Sequence, residues 1–101
     1  MTIYESALIL MSKRPHVYRW YREIVMAVRD PQPDAAKYLQ SELTTQAGLA
    51  RGVGGEIVRE AGATWRAATH AERNDVCEQM IGEAVEDAAQ VRAARVQEAV
   101  A

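Results

Sequence analysis

Two histidines, one cysteine and fourteen carboxylates are the side chains of this chain best suited to chemistry, and their spacing decides what they can do. His16 and His70 stand apart from each other. A metal site needs ligands at set spacings, and His70 with Glu72 and Asp75 does not form such a pattern. Cys77 falls on the Val76–Met80 side of a helical period, the place of a small core residue and not of an exposed nucleophile. Glu86 and Asp87 are adjacent, so on a helix their carboxylates point to different parts of the surface. Gly52 to Gly55 follows no strand and lacks a Lys-Ser/Thr, which excludes a phosphate-binding glycine loop. The sequence therefore predicts no catalytic residue, no metal and no cofactor. It gives no evident small-molecule substrate, and a non-enzymatic protein is expected.

Charge offers more than catalysis does. From Lys13 to Arg29 the bases Lys13, Arg14, Arg19, Arg22 and Arg29 face a single acid, Glu23. Aromatics are interleaved with them, a composition that contacts nucleic-acid backbone and stacks bases. Helical spacing puts Trp20 and Tyr21 beside a Val17–Ile24–Val28 stripe. Lys13, Arg14, Tyr18, Arg22 and Arg29 remain as candidate contacts to phosphate or to an acidic partner. Arginine stems also cover core edges, so the same residues have a purely structural use. From Glu72 to Asp87 the balance reverses, and no base occurs between Arg73 and Arg92. Glu78, Glu83, Glu86 and Asp87 concentrate negative charge there, with Glu83 and Asp87 at a repulsive i,i+4 spacing. Such a face is either solvated or meets something basic: the chain's own second helix, another copy, or a different protein.

The elements that must position these groups are all helical. Thr2-x-x-Glu5 and Thr69-x-x-Glu72 are capping boxes, each opening a helix. The first helix is expected to run to Met11, with Ile3, Ala7, Leu10 and Met11 on one side. Ser12-Lys-Arg-Pro15 breaks it and opens a second helix from about Pro15 to Arg29. Val17, Trp20, Tyr21, Ile24 and Val28 repeat at three and four residues, as a buried stripe does. Asp30-Pro-Gln-Pro33 is the linker, and Asp34 is placed to cap a third helix over about 35–51, with Leu39, Leu43 and Ala47 inward. Gly52-Val-Gly-Gly55 is a break. A short helix is expected over 56–61, capped by Gly62. Trp65 then wedges a corner, and the last helix covers about 70–98 with Val76, Met80, Ala84, Ala88 and Val91 at helical period. The fold class is a single all-α domain over 1–101: four main helices, one short helix and a long C-terminal one, with a helical hairpin at about 2–29.

Two stretches touch known patterns. Thr45 to Gly54 looks like the first half of a helix-turn-helix, with Ala50 and Gly54 at the packing and turn positions. Gly55 and Glu60 then occupy places that motif gives to buried residues. Glu56 to Arg73, with Ile57, Gly62, Trp65, Thr69 and Glu72-Arg73, resembles the middle of a high-mobility-group box. In that family a helix leads to Trp, a Ser/Thr corner and a long third helix. Pro33, Ala35, Leu39 and Glu42 lie loosely on its first helix. The family's aromatic-rich first helix is represented only by Tyr38, and its strong basic charge is replaced by acid. The likeness is one of packing.

The totals agree with a small interaction protein. One hundred and one residues make one domain, and a formal charge of −2 gives no bulk attraction for nucleic acid or anionic membrane. A lone cysteine allows no internal disulfide and favours a reducing, cytoplasmic setting. The longest unbroken apolar run, Ala7 to Met11, is far short of a membrane span. The expected function is a protein-binding or self-associating module, such as an adaptor, assembly factor or inhibitor of a larger complex, of the kind phage and mobile elements also encode. The alternative is nucleic-acid binding through residues 13–29.

Overall fold

The computed structural model describes residues 1–52 and 54–100, and among them there are five α-helices and no strand. α1 (Ile3–Ser12) opens on the Thr2–Glu5 capping box, with both reciprocal hydrogen bonds in place. α2 (Pro15–Val25) opens on its proline. α3 (Ala35–Leu49), α4 (Glu56–Ala67) and α5 (His70–Val100) complete the chain. α1 lies at the centre and touches each of the other four helices. Its Ala7, Leu10 and Met11 join Leu39 and Leu43 of α3, Trp65 of α4 and Met80 of α5 in one buried cluster.

Three local expectations need correction. α2 stops at Val25, not at Arg29. Ala27 adopts φ 57°, and its amide and that of Val28 return to the carbonyls of Ile24 and Glu23. This is the left-handed closure usually given to glycine, here carried by alanine. The Arg29 guanidinium, at 2.8 Å from the Glu23 carboxylate, fastens the turn, and Val28 ends up 70% exposed instead of continuing the buried stripe. Asp34 stands at the N-cap of α3 but its side chain makes no capping bond.

The third correction concerns Gly62. It does not end a short helix; it lies buried inside a twelve-residue α4. A Cβ built there would meet Ala50 Cβ at 3.0 Å and the Ala47 carbonyl oxygen at 3.2 Å. The glycine is there for the close approach of α4 to α3. α4 ends only where Ala68 turns extended, at ψ 153°. Among the described residues the five helices, with the long C-terminal one, are those of the expected all-α bundle. Of the expected break at 52–55, Val53 lies outside the described residues, while Gly54 takes φ 99°, a conformation that favours glycine.

The corner between α4 and α5 forms as the residue types require. The Thr69 hydroxyl accepts from the Glu72 amide at 3.1 Å, and the Glu72 carboxylate accepts from the Thr69 amide at 2.8 Å. Trp65 is fully buried, and its indole N–H donates to Thr44 Oγ1 on α3 at 3.1 Å. α5 has 31 residues, about 46 Å of helix, and gives the molecule its 52 Å long axis. Its buried residues end at Ala88.

Two stability measurements check this account. Trp65→Ala empties the centre of the core and leaves Thr44 without its donor, so chemical denaturation should show a loss of about 3–5 kcal/mol. Ala27→Gly relieves an L-residue in the left-handed region, so the same measurement should show a gain of about 1 kcal/mol.

Candidate functional site

The acidic side of α5 divides in two. Glu83 is half-buried and turned toward α1. Its carboxylate accepts from the Tyr4 hydroxyl at 2.6 Å and from Gln79 Nε2 at 2.9 Å. That hydrogen bond pushes the Tyr4 pKa up to about 12. Asp87 lies close enough to raise Tyr4 and Tyr21 electrostatically, although burial is the main cause of the rise of Tyr21 to about 12. Glu78 and Glu86 are exposed and turn the other way, Glu78 accepting only from Asn74 four residues earlier. The four residues expected to share one face are therefore spread over about half the helix circumference.

The basic strip is also divided. Arg14 is about one-fifth exposed and donates to the Glu42 carboxylate of α3, with His16 Nε2 3.4 Å from the same oxygen. Arg29 is tied to Glu23. Lys13, Tyr18, Arg19 and Arg22 are exposed. α2 packs along α5 through Tyr21, whose hydroxyl donates to the Met80 carbonyl at 2.9 Å. Among the described residues no ion pair links the bases of α2 to the acids of α5. The acidic and basic segments are neighbours without being each other's counter-charge.

On the side of α5 away from the body, a different feature stands out. Gly82, Val85, Ala89, Ala93, Val96 and Val100 are all exposed. At 100° per residue they fall within a sector of about 80°. From residue 89 to 100 only Val91 is partly covered. Arg95 reaches back to the Met26 carbonyl at 2.9 Å.

A second feature lies between α3 and the start of α5: an open cleft of about 370 Å³ whose lining includes Lys37, Ser41 and Thr45 of α3 and His70 and Arg73 of α5. Gln40, only 7% exposed, holds His70 Nδ1 at 3.0 Å. Arg73 is anchored: Nε donates to the Trp65 carbonyl and Nη2 to the Arg66 carbonyl, both at 2.9 Å. These α3 residues are not catalytic types and carry no motif in the sequence. The signal present was Lys37, Ser41, Thr44 and Thr45 recurring on one helix face with no acid among them.

Cys77 is fully buried, and burial pushes its thiol pKa up to about 12, so it carries no nucleophilic thiolate at neutral pH. Among the described residues no group of three His, Cys, Asp or Glu side chains is placed to hold a metal ion, and no helix is long and apolar enough to cross a membrane. No protein-family model, curated protein or solved structure matches the chain.

The Arg14–Glu42 contact generates a pH prediction. The hydrogen bond from Arg14 holds the Glu42 carboxyl below its ordinary value of 4.5. Between the lowered folded value and 4.5 the unfolded chain binds more protons, so stability rises with pH there. The contribution is complete above 4.5 and is lost as pH falls through the folded value. Glu42→Gln should cost about 0.5–1 kcal/mol at neutral pH and flatten the acid limb of a urea-denaturation series.

Proposed function

We propose that this chain is a non-enzymatic interaction module whose contact surface is the outward face of α5, and that the face is covered by a second copy of the chain. The observation that carries the reading is the exposed stripe Gly82–Val85–Ala89–Ala93–Val96–Val100. A helix that emerges from a body this small normally turns its apolar residues inward. Here the last twelve residues of α5 turn almost none inward, yet the helix continues to Val100. Helices of that length are marginal alone in water, so packing against another surface would stabilise the extension. Glycine and alanine in the stripe let a second helix come close.

Charge selects the occupant and its direction. Asp75 and Glu78 lie on or beside the line of the stripe just before it begins, Glu86 beside its first half, and Arg92 beside its second. A parallel second α5 would set like charge beside like. An antiparallel one centred on Val85 sets Glu78 of each copy level with Arg92 of the other on one flank of the seam and brings the two Glu86 together on the other, so two unlike pairs outweigh one like pair. Such a two-fold contact closes and limits assembly to a dimer. In this role the chain serves as an adaptor or assembly factor. The nucleic-acid alternative draws less support, because Arg14 and Arg29 are already engaged by Glu42 and Glu23.

Sedimentation equilibrium tests the proposal. The wild-type mass should rise toward that of two chains with concentration, and Val85→Asp with Val96→Asp should hold it at one chain without loss of helix. Glu78→Arg and Arg92→Glu should each weaken the dimer, and together restore it. A wild-type chain that stays monomeric at about 1 mM, the weak end of measurable association, would remove self-association from the reading.

A further inference from the structure

We propose that the cleft between α3 and the start of α5 is a binding site for a phosphate monoester. The inference is independent of the outward face of α5, since the cleft lies on the side of that helix turned toward α3. Its lining brings together Lys37 from one helix and Arg73 and His70 from another, and among the described residues no carboxylate lines it. In a chain with net charge −2 and fourteen acids, a two-cation cleft free of acid is a local reversal of the overall balance. Its volume of about 370 Å³ falls in the range of small-molecule sites.

The hydrogen-bond inventory shows what the cleft offers. Gln40, nearly buried, points its amide nitrogen at His70 Nδ1. With Nδ1 accepting, the neutral ring carries its proton on Nε2 and presents that N–H as a donor. Arg73 commits Nε and one Nη2 bond to the carbonyls of Trp65 and Arg66. Those bonds fix the plane of the guanidinium while Nη1 keeps its donors. Lys37 is exposed and adds three more. The Ser41 hydroxyl has no partner among the described residues, whereas Thr44 and Thr45 donate to the carbonyls of Gln40 and Ser41. The Thr44 oxygen already accepts from the Trp65 indole, so the Thr45 oxygen is the one left to accept.

Cationic and neutral N–H donors around one space suit a phosphoryl group, with the arginine held rigid and the lysine free to follow the charge. The accepting Thr45 oxygen and the unpartnered Ser41 hydroxyl suit a hydroxyl on the rest of an ester, such as a short polyol or sugar. The free amides of a helix N-terminus are not required, because the Thr69–Glu72 capping box already occupies two of those at the start of α5.

The test is an NMR titration of the full chain with glycerol phosphate, and with inorganic phosphate alone, each against sodium chloride at matched ionic strength. Saturable shifts confined to the His70 ring and to amides near residues 37–45 and 70–74 are expected with both phosphates and not with chloride. Tighter binding of glycerol phosphate than of inorganic phosphate supports an ester site, and equal affinity would overturn the ester part of the proposal. Lys37→Ala should weaken binding by about fivefold, the upper range for an exposed ion pair, and Arg19→Ala, on the far exposed face of α2, should leave it unchanged. Shifts that never saturate, that spread equally to α2, or that survive Lys37→Ala would overturn the proposal.

Discussion

The guanidinium of Arg73 sits where α4 ends and α5 begins, and the rest of the arrangement depends on what it does there. A helix end leaves carbonyls without partners in its own helix. Arg73 supplies those partners from the next helix, bonding the carbonyls of Trp65 and Arg66. The Thr69–Glu72 box closes the other side of the corner. With both ends satisfied, Trp65 can be driven fully into the core and its indole N–H delivered to Thr44. Thr44 in turn bonds the Gln40 carbonyl, and the Gln40 side chain reaches His70. One polar path thus runs from α4 through α3 to the first residue of α5 and fixes how the last helix leaves the body.

That path explains why architecture and chemistry are hard to separate in this molecule. Arg73 is a structural residue by its bonds and a cleft residue by its position. Among the described residues Gln40 is one of two buried polar side chains, and its amide is spent orienting a histidine. Similarly, Glu83 belongs to an acidic segment by sequence, yet it holds α1 through Tyr4. Charge that looks surplus along the chain is partly consumed by contacts between helices.

What could be read from the sequence follows from range. Capping boxes act over three residues, so Thr2–Glu5 and Thr69–Glu72 were legible, as were the periods that bury Leu10, Leu39 and Met80. The failures share one cause: a distant group overrode a local preference. Gly62 has the look of a terminator, but its missing side chain answers to Ala47 and Ala50 on another helix. Ala27 is the exception: the Glu23 carbonyl and the Arg29 side chain that close its left-handed turn are local, but alanine is not a residue type that signals one. Of the candidate contacts, Arg14 was claimed by Glu42, 28 residues away. The cleft escaped notice since its residues are common helix-surface types that gain meaning only when α5 is laid beside α3.

The central position of α1 carries a consequence for how the chain is made. α1 is synthesised before every helix it packs on: its apolar side packs on α4, and its Tyr4 hydroxyl closes onto Glu83, 79 residues away. A nascent chain halted before residue 56 has α1 with half its surroundings missing, and no rearrangement of α2 and α3 alone can supply them. Folding on the ribosome therefore cannot proceed helix by helix from α1 onward. The Ala7–Met11 segment must stay uncovered, or be held by a chaperone, until the C-terminal third is free to fold around it.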